Sequence, residues 1–328
     1  MPNPDPRRST VLITGAGGFV GSMLCRKLGT ESYDVRAVVR NKTKEFSQTL
    51  GVTYIESDLL TERSLADLCS GVDCVVHLAG RAHVLREKKV DPLDAFRQVN
   101  SELTLRLARQ AALSGVRRFI FISSIGVNGN KTEERPFDES SQSNPEAYYA
   151  VSKFEAEQRL IELAAATGME LVIVRPPLIF GVDAPGNFGR LLKVVASNLP
   201  LPFSNINNLR SLVSVQDVVS FIGLAIHHPS AAGELFLLSN GDDVSTTQIV
   251  RSLARGMGKK KFLFFLPSRL LEIGAAIVGR TGMYTQLFGS LQIDSSKARR
   301  TLGWRPAAKT CAELEEIGRL YVDRNSKA

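Results

Sequence analysis

The stretch Thr14-Gly15-Ala16-Gly17-Gly18-Phe19-Val20-Gly21 decides the fold of this chain. It follows a β-branched run at Val11–Thr14 and opens an amphipathic helical pattern over Gly18–Leu28. Glycines at such a junction allow a tight turn, let the backbone approach a pyrophosphate, and let the helix pack closely on the strand. The helix N-terminus adds unpaired N–H groups and the positive end of a dipole. The stretch therefore predicts a dinucleotide-binding turn, whose cofactor contacts are Gly15, Gly18, Phe19, Val20 and Gly21.

Further short apolar runs, separated by helical patterns, continue this arrangement through the first half of the chain. The runs are Asp34–Val39, Thr53–Glu56, Cys74–Leu78, Arg118–Ser123 and Glu170–Arg175, and the longest helical patterns are Pro92–Ser114 and Pro145–Thr167. Strands separated by helices form right-handed βαβ units. We therefore expect an α/β fold, a Rossmann doubly wound parallel sheet. Residues 1–175 would form the dinucleotide-binding domain, and residues 176–328 a smaller C-terminal substrate-binding lobe, partly interwoven with the sheet.

Composition narrows the class of protein. The 328 residues are 44% hydrophobic and 23% charged, which is ordinary for a soluble globular protein. The net charge of +8 is spread along the chain, with one tight basic run at Lys259–Lys261, so we expect no nucleic acid partner. The most apolar late stretch, Phe262–Val278, is broken by proline and charged residues; we expect an amphipathic, substrate-covering helix at 268–279 and no stable membrane insertion. Four cysteines without paired or metal-ligand spacing fit a reducing cytoplasm.

The end of the second predicted strand indicates which dinucleotide binds. NAD enzymes usually place an acid there, about 20 residues after the glycine turn. This strand instead ends in Val39-Arg40-Asn41-Lys42, and its only acid, Asp34, lies at its start. A guanidinium suits a ribose phosphate, so Arg40 favours NADP(H), with NAD(H) possible if Arg40 is only a surface residue. Asp58, after the third strand, is placed to accept a hydrogen bond from an adenine amino group.

Three residues indicate acid–base chemistry beside this cofactor. Tyr149 and Lys153 lie at i and i+4 near the start of a helical pattern, so they share one face. The pKa of a free phenol is about 10, and we expect a neighbouring ammonium and a nicotinamide to lower it, so that Tyr149 exchanges a proton with the substrate. Lys153 would also bind the nicotinamide ribose. Ser124 ends a strand and can hold the substrate oxygen beside Tyr149, so the predicted catalytic trio is Ser124, Tyr149 and Lys153.

Other catalytic classes find no support in the sequence. A Tyr-x-x-x-Lys pattern alone is often two helix-surface residues, but its order after a glycine turn and a strand-terminal serine argues against chance. His77 lies in an apolar strand, His83 in a loop and His227-His228 at a helix end, so we interpret each histidine as structural and expect no metal site. No Gly-x-Ser-x-Gly elbow of a serine hydrolase is present.

Together these motifs resemble the extended short-chain dehydrogenase/reductases, the NAD-dependent epimerase/dehydratase family, over nearly the whole chain. The landmarks are TGAGGFVG at 14–21, Asp58-Leu59, HLAG at 77–80, Asn100, FISSIGVNG at 121–129, YAVSK at 149–153 and Arg175-Pro176. The resemblance implies further cofactor contacts from Leu59, Leu78, Ala79, Gly80, Asn100 and Pro176. It also implies a homodimer through the helices at about 92–114 and 145–167.

Later segments resemble the members of this family that act on nucleotide sugars. The segment Arg210–Asp217 resembles the one whose arginine grips the substrate diphosphate, and Asn187 matches a position that contacts the nucleotide. Asp294–Ala298 with Leu302-Gly303-Trp304 resembles their C-terminal signature. The resemblance therefore implies a nucleotide-sugar substrate, UDP-linked, bound by Ser124, Asn187 and Arg210.

Within this group the chain is similar to the UDP-glucose 4-epimerase-like proteins of bacterial O-antigen clusters, which include 4-epimerases and 4-keto reductases. It departs from galactose epimerases at Arg40, at Pro176-Pro177-Leu178, and before Asp294, where a second substrate arginine is missing. An epimerase keeps its NAD, whereas a reductase draws on NADPH, which agrees with Arg40. We expect reduction of a UDP-4-keto-6-deoxy-N-acetylhexosamine for lipopolysaccharide synthesis. The alternative is a 4-epimerase of UDP-GlcNAc/GalNAc or UDP-Glc/Gal; a non-catalytic redox sensor is disfavoured, because such proteins tend to lose the Tyr or Lys.

Overall fold

The structure is a computed structural model that describes residues 8–42, 49–82, 91–197, 199–267 and 288–326. The chain divides into two compact units, which are described separately. The first unit takes residues 1–127, 143–175 and 219–236, and the second takes 128–142, 176–218 and 237–328. The helix expected at 268–279 and His83 lie outside the described residues. The two-domain division at residue 175 stays a prediction.

The first unit is built on a seven-stranded sheet. Its strands are β1 Ser9–Thr14, β2 Tyr33–Val39, β3 Val52–Glu56, β4 Cys74–His77, β5 Arg118–Ile122, β6 Glu170–Arg175 and β9 Leu235–Leu237. Their order is β3-β2-β1-β4-β5-β6-β9, and every pairing among the first six strands is parallel. From β1 the chain builds the sheet outward through β2 and β3 on one side, and it then returns to add β4, β5 and β6 on the other side of β1. The boundary between β1 and β4 is therefore a topological switch point. In sheets of this kind ligands bind there, at the carboxyl ends of the strands. The predicted Rossmann fold is confirmed.

Helices cover this sheet and supply its core. They are α1 Phe19–Gly29, α2 Ala66–Cys69, α3 Pro92–Arg97, α4 Leu103–Leu113 and α5 Tyr148–Thr167. β5 is buried along its whole length, as expected for a parallel strand with both faces covered. Phe119 and Phe121 of β5 pack in one cluster with Leu107 of α4 and Leu160 of α5. This packing fixes α5, and with it Tyr149, against the end of β5.

The helix predicted over 92–114 is confirmed over 92–113, with a π-helical turn at its centre. α3 and α4 are separated by a π-helical turn, Gln98–Glu102, which contains Asn100. The buried Asn100 side chain bonds outside its helix: Nδ2 donates to the carbonyl of Arg81 at 3.1 Å and to Oγ of Ser152 at 3.0 Å, and Oδ1 accepts from the Arg81 N–H at 2.8 Å. A π turn inserts one residue into a helix, and here it accompanies these tertiary bonds.

The second unit has a two-stranded parallel sheet and several helices. The strands are β7 Leu178–Phe180 and β8 Leu212–Ser214. The helices are α6 Gly186–Ala196, α7 Val215–His227, α8 Thr246–Gly256, α9 Ser296–Leu302 and α10 Thr310–Asn325. Only the first residues of α7, up to Val218, belong to this unit. A Cβ on Gly256 or Gly318 would overlap backbone atoms of the opposite helix, so α8 and α10 cross with their backbones in contact. Lys259 and Lys261 donate to the last carbonyls of α6 and therefore cap that helix.

Asp217 and Glu313 form an acid pair near the start of α10. Asp217 accepts hydrogen bonds from Ser214 Oγ and the Ala307 N–H, both at 2.9 Å, and Trp304 Nε1 donates to its carbonyl at 3.3 Å. Burial, with the nearby charge of Asp217, raises the pKa of Glu313 on α10 to about 7. Trp304, which belongs to the C-terminal signature seen in the sequence, is therefore buried against Asp217. Across the described ranges, no helix combines the length and the apolar character needed to cross a bilayer.

Candidate active site

The glycine turn is sterically constrained at two positions and open at a third. Gly15 has a φ of 70°, and a Cβ there would meet the backbone N of Ala79 at 2.7 Å, so the turn lies directly against the segment after β4. A Cβ on Gly21 would overlap the Gly15 carbonyl oxygen and meet Ala16 Cα at 2.9 Å. A Cβ on the exposed Gly18 would meet only the Gly15 oxygen, at 3.1 Å. Gly18 therefore offers the side of the turn that phosphates can approach.

The N-terminus of α1 suits an anion. Gly18 is the N-cap residue, no side chain among the described residues caps the helix, and its first turn carries no acid. The first helical hydrogen bond runs from Ser22 N to the Gly18 carbonyl at 2.9 Å. The N–H groups of Phe19, Val20 and Gly21 therefore keep the free donors and positive dipole end of a helix start. This cradle fits a pyrophosphate.

The end of β2 lies beside the glycine turn, because Ala16 N donates to the Val38 carbonyl at 3.2 Å. Arg40, two residues further on, is exposed and makes no hydrogen bond or ion pair with any described residue. Asp34 lies near the other end of β2. Asp58 follows β3, is exposed, and accepts from the Leu60 N–H at 3.0 Å, whereas Leu59 is buried. The roles predicted for Arg40, Asp58 and Leu59 stay predictions.

The segment after β4 connects the glycine turn to Lys153. Ala79 N lies 3.5 Å from Thr14 Oγ1, at the start of the turn. A Cβ on Gly80 would meet Asn100 Oδ1 at 3.2 Å and Lys153 Nζ at 3.4 Å. The structure therefore groups four of the predicted cofactor residues along one wall of the switch point: Leu78, Ala79, Gly80 and Asn100.

His77 ends β4 and joins the glycine turn to α4. Its Nδ1 is 2.7 Å from Thr14 Oγ1, and its Nε2 is 2.9 Å from Thr104 Oγ1. Burial, with a smaller contribution from the charge of Lys153, lowers the pKa of His77 to about 3, so the ring is neutral. The structural role predicted for His77 agrees with this arrangement.

Lys153 is buried at the carboxyl end of β5. Its Nζ donates to the Ile122 carbonyl at 2.9 Å and lies 4.6 Å from the ring centroid of Phe121. Burial lowers the pKa of Lys153 to about 8, although the negative charge of Glu157 opposes the change. The ammonium is therefore still the main form at pH 7.

Tyr149 is the second residue of α5, and its ring packs edge-on against Phe96 at 6.3 Å. Burial raises the pKa of Tyr149 to about 12, so the lowering predicted from the sequence is not found. The physical reason is that burial penalises the phenolate while Lys153 directs its ammonium at the Ile122 carbonyl. At neutral pH Tyr149 is consequently a hydroxyl that can donate a proton.

Ser124 follows the end of β5 and lies near the start of α5. Its Oγ accepts from the Gly126 N–H at 3.1 Å. A Cβ on Gly126 would touch both Ser124 Oγ, at 3.4 Å, and Ala150 Cβ, at 3.3 Å. Ser124, Tyr149 and Lys153 therefore surround the same strand end, although no hydrogen bond joins them in the part of the chain that the structure describes.

The three remaining predicted residues belong to the second unit. Arg210 is 8% exposed, its Nη1 donates to the Gly289 carbonyl at 3.1 Å, and burial lowers its pKa. Among the described residues no ion pair to this guanidinium is found. Asn187 is exposed at the start of α6, and Pro176 is buried just after β6.

Sequence reasoning missed a polar cluster behind Lys153. Glu157 on α5 and Arg175 at the end of β6 form a buried ion pair, with Nε–Oε1 at 3.0 Å and Nη2–Oε2 at 2.5 Å. Ser123 Oγ is buried without a hydrogen-bond partner in the described residues. One signal was available: Glu157 occupies a core-facing position of α5, next to Ala156, where an apolar residue is expected.

A doubly wound sheet with a glycine-lined phosphate turn and a Ser–Tyr–Lys group at the end of β5 defines the class of short-chain dehydrogenase/reductases. The sequence model of the NAD dependent epimerase/dehydratase family matches residues 11–238, and the chain belongs to this family. It is 37% identical over 321 residues to a UDP-glucose 4-epimerase of Vibrio cholerae, with 97% of each chain covered.

Solved structures share the fold. A UDP-glucose 4-epimerase of Thermotoga maritima with UDP-glucose superimposes with a TM-score of 0.79 at 22% identity, covering 97% of this chain and 99% of that one. A UDP-glucuronic acid 4-epimerase of Bacillus cereus in complex with NAD gives 0.78 at 20% identity, covering 96% and 99%. At these identities the likeness concerns the fold alone.

Proposed function

We propose that this chain is a cytoplasmic NADP(H)-dependent oxidoreductase that reduces the C4 keto group of a UDP-linked 6-deoxy-N-acetylhexosamine for O-antigen synthesis. The observation that carries the proposal is the grouping of Tyr149, Lys153 and Ser124 at the end of β5, on the sheet edge that also carries the phosphate cradle. A keto reduction needs a proton donor at the carbonyl oxygen, and the neutral, half-buried phenol of Tyr149 is one.

The chemistry divides between the cofactor and the chain. A nicotinamide held by these residues would supply the two electrons, as a hydride to C4. Tyr149 donates its proton to the C4 oxygen, so the ketone becomes an alcohol, and Ser124 Oγ holds the same oxygen by donating a hydrogen bond. Lys153 would bind the nicotinamide ribose once the cofactor is present, and a shift of its ammonium from the Ile122 carbonyl towards Tyr149 would stabilise the phenolate that Tyr149 leaves behind. Solvent then returns a proton to Tyr149.

The second unit supports a nucleotide-sugar substrate. The buried guanidinium of Arg210 suits a diphosphate, because guanidinium groups bind phosphate oxygens through charge-assisted hydrogen bonds. Asn187 presents an exposed side chain at the start of α6, where we place the nucleotide. The UDP-sugar names of the relatives from Vibrio cholerae and Thermotoga maritima favour UDP.

The NADP(H) preference depends on Arg40. Replacing Arg40 with Asp should reverse the preference, because a carboxylate repels the ribose phosphate of NADP(H) and accepts a hydrogen bond from the free hydroxyl of NAD(H). We expect the ratio of the two dissociation constants to change by about 100-fold, which equals about 2.7 kcal/mol. Fluorescence titration with NADPH and with NADH measures both constants. Arg36 to Gln, on the same strand, is the control, and an unchanged ratio in the Arg40 variant would remove the NADP argument.

A 4-epimerase acting on UDP-GlcNAc/GalNAc or UDP-Glc/Gal is the second candidate. The relative from Vibrio cholerae carries that name, and the Bacillus cereus structure contains NAD. The same trio would serve, with Tyr149 taking the proton from the C4 hydroxyl before returning it. Such an enzyme keeps its dinucleotide between turnovers, which separates it experimentally from a reductase.

We also propose a homodimer formed through α4 and α5. The proposal follows from the resemblance of the chain to the family, whose members commonly pair through these two helices.

One preparation tests the activity and the assembly. The purified protein is denatured, any released dinucleotide is identified, and NADPH absorbance is then followed after adding a UDP-4-keto-6-deoxy-N-acetylhexosamine. An empty protein that consumes NADPH in proportion to the keto-sugar is a reductase. A protein that releases NAD, consumes no NADPH, and interconverts UDP-GlcNAc with UDP-GalNAc is an epimerase.

Sedimentation of the same sample should give the mass of a dimer, and a monomer mass would contradict the proposed homodimer.

A further inference from the structure

A buried ion pair lies directly behind Lys153. Glu157 follows Lys153 by one helical turn, so both side chains project from the same face of α5. Arg175 donates Nε and Nη2 to the two carboxylate oxygens of Glu157, at 3.0 and 2.5 Å. Both residues of the pair are almost completely buried. The carboxylate is thereby fixed in place by a fork that approaches it from β6.

The ammonium of Lys153 is held at the end of β5, the strand next to β6. Lys153 Nζ donates to the Ile122 carbonyl, and Ile122 pairs with Val174, the residue before Arg175. The ammonium of Lys153 and the guanidinium of Arg175 therefore lie at the carboxyl ends of two neighbouring strands, β5 and β6. A buried ion pair is weak support for stability, since desolvation offsets its attraction, so its presence here calls for another role.

Glu157 is the charged group that can sustain an ammonium at this position. Three other titratable side chains face Lys153 from the packed elements: Tyr149 on α5, His77 on β4 and Arg175 on β6. Burial keeps Tyr149 and His77 neutral at pH 7, because it raises the pKa of the first to about 12 and lowers that of the second to about 3. Burial also lowers the pKa of Lys153, and Glu157 opposes that change.

We propose that Glu157, held by Arg175, is a positioning residue that keeps Lys153 charged where Lys153 binds the nicotinamide ribose. The proposal rests on the proposed use of a nicotinamide dinucleotide. Glu157 acts only through Lys153, so its removal should change how cofactor binding depends on pH. A purely structural pair would change stability alone.

The test measures NADPH and NADH dissociation constants by fluorescence from pH 6 to 9.5. In the wild type, affinity should fall as pH rises through the pKa of Lys153, about 8. In Glu157→Gln the fall in affinity should occur about one pH unit lower. The reason is that no negative charge then opposes the lowering of the Lys153 pKa by burial. The double variant Glu157→Leu/Arg175→Met removes both charges without leaving one unpaired, so it decides the question if the single variant does not fold.

Two controls make the result specific. Lys153→Met should abolish the pH dependence, which assigns it to that ammonium. Glu170→Gln breaks the ion pair with the buried Arg118 at the opposite end of β6, and it should keep the wild-type profile. An unshifted profile in the Glu157 variants overturns the proposal, and so does a wild-type profile that is flat or unaffected by Lys153→Met. A wild-type protein that binds neither dinucleotide overturns the proposed function itself, which is a distinguishable result.

Discussion

Replacing Tyr149 with Phe should lower turnover by about 100- to 10,000-fold, the range associated with losing a positioned general acid. The variant removes one oxygen atom and keeps the ring, so the edge-on packing against Phe96 is preserved. Cofactor affinity should remain at the wild-type level, because the phosphate cradle lies at α1 and Lys153 is retained. Steady-state kinetics with the keto-sugar and a separate NADPH titration measure the two quantities. The loss should appear in kcat and kcat/KM together, because the proton is transferred only in the transition state.

The neighbouring Tyr148 provides a matched control. It is 52% exposed at the first residue of α5, and it lies five residues from Lys153 instead of four. Tyr148→Phe removes the same atom one position away and should keep wild-type turnover. If Tyr149→Phe keeps it too, Tyr149 has no part in the mechanism and another acid must be sought.

The fold followed from the sequence because its signals are local. Short β-branched runs and amphipathic helices mark the strands of a doubly wound sheet, and the comparisons with known proteins confirm the class. The π-helical turn at Gln98–Glu102 could not be predicted in this way. One inserted residue leaves the apolar periodicity on both sides nearly unchanged, while the cause of the insertion, the bonds of Asn100 to Arg81 and Ser152, is tertiary.

The candidate site was predictable as a set of residues but not as an electrostatic arrangement. The spacing of Tyr149 and Lys153 shows that they share a helix face, but it does not show where the ammonium points. In the folded chain the Ile122 carbonyl receives that ammonium, and burial dominates the pKa of Tyr149. Glu157 was missed for the same reason, since its importance depends on a partner 18 residues away on another element.

The last prediction concerns alanine substitutions at Gly18 and Gly21 of the glycine turn, which should affect stability and dinucleotide binding differently. Gly21→Ala places a methyl group onto the Gly15 carbonyl oxygen and 2.9 Å from Ala16 Cα, both backbone atoms that cannot rotate away. Helix propensity favours alanine by about 1 kcal/mol, but overpacking costs about 1–3 kcal/mol or more, and rigid neighbours place this site at the upper end. We expect a net loss of about 2 kcal/mol in the free energy of unfolding, measured with denaturant.

Gly18→Ala should instead leave the free energy of unfolding within about 1 kcal/mol of the wild type, because its methyl group meets only one atom, at 3.1 Å. The same methyl group lies on the exposed side of the turn, where a pyrophosphate must approach the backbone. NADPH and NADH affinity should therefore fall by about 100-fold, equivalent to about 2.7 kcal/mol. Gly21→Ala should weaken both stability and binding, since it displaces the start of α1 and its N–H groups. A Gly18→Ala protein that binds both dinucleotides normally would show that the phosphates do not lie at this turn, whereas a stable Gly21→Ala protein would show that α1 can move away from β1 at little cost.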